Sequence, residues 1–161
     1  MFILNRNTEP PNKYWPQENQ TITKFDLFTD TISTMSEKTK YEITVTTESF
    51  FIPEQSDTEQ SRYFFAYRIR IQNTGTVRAQ LLSRHWVITD AHEKVEEVRG
   101  EGVVGEFPNL GPGEYFEYTS AASIDTPVGL MEGSYKMRAS DGVEFDAKIS
   151  QFTLSVPRVL H

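Results

Sequence analysis

The residues with the most chemical potential lie in RGEGVVGEFPNLGPGEYF, residues 99–116, where Gly100, Gly102 and Gly105 have the spacing G-x-G-x-x-G. Between a strand and a helix, that spacing holds the pyrophosphate of a dinucleotide at the helix N-terminus. Here Pro108, Gly111, Pro112 and Gly113 follow. They forbid the helix, and with it the macrodipole that attracts pyrophosphate. The dinucleotide fold is therefore excluded. A smaller anion site is still open, because successive N–H groups in a glycine turn can form a nest. Its candidate residues are Arg99, Gly100, Gly102 and Gly105, with Arg84 near them in space. Glu96, Glu97, Glu101 and Glu106 oppose a polyphosphate there, and no lysine follows the glycines as in a P-loop. The other reading is architectural: the glycines let a long connection cross between sheets. Phe107, Pro108 and Leu110 interrupt this polar loop. Exposed, they would form an apolar contact patch for a partner; buried, they would tie the loop to the core.

No catalytic constellation emerges elsewhere. Among the histidines, His85, His92 and His161, no two have metal-ligand spacing. Ser83 and His85, two residues apart, share a face if the segment is a strand, but no G-x-S-x-G elbow accompanies them. The acids of EKVEEV read as a solvated edge, and Arg68 and Arg70 as a balance to an acidic surface. No catalytic residue, metal ligand or cofactor is assigned.

Composition narrows the classes further. The chain has 161 residues, which suits one domain with a real core, and 12% aromatic residues to fill it. Its net charge of −7 disfavours nucleic acid and acidic membranes as partners. With no cysteine, disulfides, thiolate nucleophiles and zinc ribbons are out, in keeping with a cytoplasmic protein. No apolar run approaches the roughly 20 residues of a membrane span, and MFILNRNTEPPNKYWP lacks a signal peptide's apolar stretch.

The elements that must position the loop are strands. From residue 40 onward apolar residues alternate: Tyr41, Ile43 and Val45, then Tyr63, Phe65, Tyr67, Ile69 and Ile71. VRAQLLSRHWVITD predicts a long strand with a bulge near Leu81–Leu82, and KVEEVR a short strand at best. EYFEYTSAA, LMEGSYKMRA and VEFDAKISQFTLSV follow, the last with a phase break near Ser150. Asp141-Gly142 predicts a tight hairpin turn. Seven or eight strands with this many aromatic faces need two sheets packed together. The expectation is an all-β antiparallel sandwich, immunoglobulin-like or fibronectin-like, anchored by Trp86.

Residues 1–40 are different. Ile22, Phe25, Phe28, Ile32 and Met35 form a helix-like stripe, but five threonines in that stretch make a poor isolated helix. Met35 opens MSEKTKYEITV, a natural start for a compact domain. Residues 1–34 are expected to be an extension, mobile or docked, which an early start codon would explain, and residues 35–161 the sandwich domain.

EQSDTEQSRYFFAYRIRIQNTG, the unbroken LLSRHWVITDAHEKVEEVRGEGVVGEFPNLGPGEYFEYTS, DTPVGLMEGSYKM and the ending VPRVLH together resemble the ApaG family, from about Tyr41 to His161. The family's glycine motif falls on Gly100, Gly102 and Gly105, all intact. The resemblance implies a fibronectin type III-like sandwich. It implies links to diadenosine tetraphosphate metabolism and to cobalt and magnesium homeostasis, and a partner-binding role like that of related domains in F-box and polymerase-interacting proteins. It supplies no reaction. The expected function is therefore a non-enzymatic module that binds an unidentified protein partner, with homodimerisation through edge strands also open. The alternative is binding of pyrophosphate or a dinucleoside polyphosphate at the glycine loop.

Overall fold

A computed structural model of the chain describes residues 39–158. The expected extension, residues 1–34, and His161 lie outside the described residues. Eight strands are present: β1 (Ile43–Phe51), β2 (Tyr63–Asn73), β3 (Ala79–Asp90), β4 (Val95–Glu101), β5 (Asn109–Leu110), β6 (Tyr115–Ile124), β7 (Val128–Ala139) and β8 (Glu144–Ser155). All pairings are antiparallel. One sheet runs β1-β2-β6; the other runs β4-β3-β7-β8, with the short β5 pairing to β3 beyond the end of β4. The two sheets form a β-sandwich, as the strand count predicts.

The alternation of the sequence selects the inner faces. Phe65, Tyr67, Ile69 and Ile71 of β2 are fully buried, as are Leu81 and Trp86 of β3, Met131, Tyr135 and Met137 of β7, and Ile149 and Leu154 of β8. Trp86 sits at the centre, edge-on to Tyr67 (ring centroids 5.5 Å apart), Phe152 (6.1 Å) and Tyr135 (6.2 Å). Such tilted contacts suit the aromatic quadrupole. Burying this set against the opposite sheet is the main stabilising term of the fold. Arg68 and Arg70 face outward and pair with Glu48 and Glu117, so both do balance acids.

Both phase breaks are bulges. The β3–β7 register shifts between Leu81 and Ser83, leaving Leu82 as the extra residue. On β8 two residues, Ser150 and Gln151, oppose the single Glu132 of β7. Gly133 adjoins that second irregularity, directly across from Trp86.

The Asp141-Gly142 turn closes the β7–β8 hairpin as predicted: the Gly142 amide donates to the Ala139 carbonyl, and Gly142 has φ +87°. Asp141 is its electrostatic hub. Its carboxylate takes the Lys40 ammonium at 2.8 Å, the Tyr41 hydroxyl at 2.6 Å and the Val143 amide at 3.1 Å. These donors, Lys40 foremost, hold the carboxyl down at about 2 instead of the usual 3.8. A depressed carboxylate contributes stability that is present above its unfolded value and lost as pH falls through the folded one. The expected NMR titration midpoint of the Asp141 carboxyl is therefore about 2. Replacing the exposed Lys40 by Met moves that midpoint upward; an unchanged midpoint would remove Lys40 as the main cause.

Candidate functional site

The candidate loop begins where β4 leaves β3. The β3–β4 hairpin turns at Asp90, whose carboxylate accepts the His92 and Lys94 amides, and Glu93 takes φ 62°. β4 then runs antiparallel to β3 with Gly100 opposite Arg84. An added Cβ at Gly100 would fall 2.8 Å from the Arg84 guanidinium, so glycine here makes room for that side chain. Arg84 Nη1 donates to the carbonyls of Glu101 (2.8 Å) and Gly102 (2.7 Å). The expectation that Arg84 lies beside the loop is met in position, and its visible task there is to clamp the loop's backbone.

Gly102 is constrained twice. Its φ is +57°, and a Cβ would lie 2.4 Å from the Glu106 carbonyl oxygen. The chain then reverses through residues 103–106. The Val103 and Glu106 amides donate to each other's carbonyls, both at 2.8 Å, while Val104 (φ 45°) and Gly105 (φ 77°) are both left-handed. Those are the signs of a type I′ turn. A β-branched residue at positive φ is strained. Val104 is held there by its packing against the core, next to the fully buried Val103.

These bonds bear directly on the anion nest. The Gly102 amide donates to the Leu82 carbonyl, the Val103 amide to Glu106 and the Glu106 amide to Val103. Three of the loop's donors thus already have protein acceptors. Arg99 is largely exposed and its guanidinium lies 3.3 Å from Glu97.

The three apolar residues of the loop separate. Pro108 and Leu110 are buried: the Pro108 carbonyl accepts the Leu81 amide at 2.9 Å, and Leu110 pairs with Ala79 through β5. They tie the loop to the core and do not belong to an exposed patch, because the Leu81–Pro108 bond and the β5–β3 pairing hold this stretch against β3. Phe107 alone stays accessible, at 47% exposure, with its carbonyl accepting Gln80 Nε2 at 3.3 Å.

Ser83 and His85 do share the outer face of the larger sheet. There an open depression of about 570 Å³ is bordered by both residues together with Arg99, Ser134, Lys136 and Asp146. Its charges are internally matched: His85 Nε2 lies 2.9 Å from Glu97, and Lys136 lies 2.7 Å from Asp146. The contact with His85 holds the Glu97 carboxyl below its ordinary value. Among the described residues no group of three or more histidines and carboxylates is placed to hold a metal ion. No helix there is long and apolar enough to cross a membrane.

Sequence reasoning missed the interior polar group behind the loop. The Tyr118 and Tyr135 hydroxyls meet at 2.6 Å between the sheets. Burial pushes the hydroxyls of Tyr67, Tyr118 and Tyr135 well up, and the positive charge of Arg84 opposes that rise in all three. One side chain thus serves both the loop and the core. The sequence signal was only a run of inward tyrosines, which reads as apolar filling.

Comparison with known proteins agrees with this architecture. The ApaG domain profile matches residues 53–139. Protein ApaG of Thiobacillus denitrificans is 59% identical over 127 residues, covering 79% of this chain and all of that protein. Protein ApaG of Nitrosospira multiformis is 60% identical over the same length and coverage. Among solved structures, an ApaA protein of Bordetella pertussis is 49% identical, covers 76% of this chain and 99% of its own, and superposes with a TM-score of 0.74.

Proposed function

The chain belongs to the ApaG family, and from that premise we propose that it is a non-enzymatic module of fibronectin type III-like connectivity that binds another protein through the loop following β4. One observation supports this most: Phe107 is an exposed aromatic on a backbone already fixed on both sides. Before it stands the type I′ turn clamped by Arg84, and after it β5. Aromatic residues are enriched at interfaces, and an anchor that needs no ordering on binding loses little entropy. The acid–base side chains nearby are paired with one another, which favours recognition over chemistry.

Pyrophosphate or dinucleoside polyphosphate at Arg99–Gly105 has less support. The amides of Gly102, Val103 and Glu106 are committed to carbonyls, and four glutamates lie within the surrounding sequence.

The test has two arms. Tagged full-length chain, expressed in the cell it comes from, is expected to co-purify a stoichiometric partner that Phe107→Ser loses. The variant should melt within about 3 °C of the parent, as an exposed substitution normally does. Equal recovery by folded Phe107→Ser overturns the anchor. In the second arm, pyrophosphate is titrated against the amide NMR spectrum, with no saturable shift expected at residues 99–105 up to millimolar ligand. Saturable shifts confined there would replace protein binding by the anion reading.

A further inference from the structure

β4 borders the larger sheet. It pairs with β3 along one side, and among the described residues no strand pairs along its other side. Five of its seven residues are exposed. An open edge offers a row of unpaired backbone donors and acceptors to another strand. The order of side chains along β4 decides which strand fits.

The register with β3 assigns the faces. Glu97, Arg99 and Glu101 lie opposite Val87, His85 and Ser83 on the outer face, and Val95 shares their parity. Glu96, Val98 and Gly100 point to the inner side, where Val98 packs against the core. Two copies joined edge to edge by a two-fold axis must pair antiparallel, with each contact made twice. To keep each face on its own side, the axis must pass through a residue, so few registers exist. An axis at Glu97 sets that glutamate against itself. An axis at Arg99 sets arginine against arginine and Glu97 against Glu101, twice. An axis at Val98 places Val98 against Val98, Glu96 against Gly100, and Glu97 against Arg99 of the second copy, twice. Opposite charges directly across a ladder stabilise it and like charges destabilise it. An axis at Gly100 also opposes Arg99 and Glu101, but it pairs only residues 99–101 of the strand, whereas the Val98 register pairs all of Val95–Glu101 and turns its central charges into complementary pairs.

We propose that the chain forms a homodimer through antiparallel pairing of β4 with β4 of a second copy, centred on Val98. The two five-stranded sheets become one continuous sheet. Glu97 and Arg99 are 54% and 70% exposed and already lie 3.3 Å apart within one chain. Two copies therefore bring two glutamates and two arginines into one four-charge cluster. The pairing uses the β4 backbone with Glu97 and Arg99 rather than the Phe107 side chain, so charge reversal at 97 and 99 tests the dimer apart from partner capture.

The test uses the full chain in analytical ultracentrifugation at low salt, from micromolar to millimolar concentration. Wild type is expected to self-associate reversibly and more weakly as salt rises. Glu97→Arg alone places arginine against Arg99 of the second copy, and Arg99→Glu alone places glutamate against Glu97. Each is expected to raise the dimer Kd about tenfold. An equimolar mixture of the two variants restores complementarity at both positions, so the heterodimer should recover wild-type affinity. Both sites are exposed, and circular dichroism checks that each variant keeps the parent fold. Recovery in the mixture cannot come from a general loss of stability. A wild type that is monomeric throughout, a dimer indifferent to both substitutions, or a mixture as weak as its components would each overturn the proposal.

Discussion

Gly102→Val lowers the stability of the sandwich by about 4 kcal/mol, while Gly105→Asn changes it by less than about 1 kcal/mol. The two glycines belong to the same motif, yet their surroundings differ. At Gly102 a side chain meets the Glu106 carbonyl oxygen 2.4 Å away and must adopt φ +57°. A β-branched residue there combines left-handed strain with overlap against backbone, which cannot rotate aside. At Gly105, φ is +77° but nothing lies within 4 Å of an added Cβ. Asparagine tolerates that conformation. Urea unfolding of the two variants measures the contrast. Equal stabilities would mean that the backbone around Glu106 is not where the structure places it. The contrast also governs how ligand tests are designed, because a Gly102→Val protein that binds nothing has lost its loop first.

The second large effect lies across the sheet. Gly133→Ala is expected to cost about 3 kcal/mol. Its Cβ would stand 2.1 Å from the His85 carbonyl oxygen and 3.2 Å from Trp86 Cε3. Glycine inside a strand often marks such a close backbone approach. Relief requires the β3–β7 ladder to open or Trp86 to move, and both disturb the centre of the core. Urea unfolding gives the magnitude, and the tryptophan band of the near-ultraviolet circular dichroism spectrum, in a Trp15→Phe background, follows Trp86. An unchanged Trp86 signal with unchanged stability would contradict the close approach.

The contrast between β2 and β4 explains what was legible in the sequence. β2 is central in its sheet with a buried inner face, so Phe65, Tyr67, Ile69 and Ile71 had to alternate, and the strand could be read directly. The bulges at Leu82 and at Ser150–Gln151 were legible because an extra residue reverses the phase of everything after it. β4 is an edge strand wet on most of its surface, so its composition carries no period of two. A strand of seven residues thus read as short at best. The loop was partly legible. Its glycines announced unusual backbone, but the placing of Arg84 on two loop carbonyls, with its charge felt by three buried tyrosines, depends on a register between sheets that no local pattern encodes. The burial of Leu110 was hidden for the same reason, since it follows from two residues of β5 joining β3.

The strand order has a kinetic consequence. β3 is paired along its whole length with β7, from Ala79 against Ala139 to Asp90 against Gly129. β4, β5 and β6 lie between them in the chain. The β7–β8 and β3–β4 hairpins can close early, because each joins neighbours through a short turn. The ladder that unites those hairpins must first close a long loop, and the loss of chain entropy precedes any reward from burying Trp86. Assembly of this sandwich is therefore limited by the meeting of two preformed hairpins. Until they meet, the edges of β3 and β7 are open to any other chain nearby, so the protein is most vulnerable to aggregation while it is still folding.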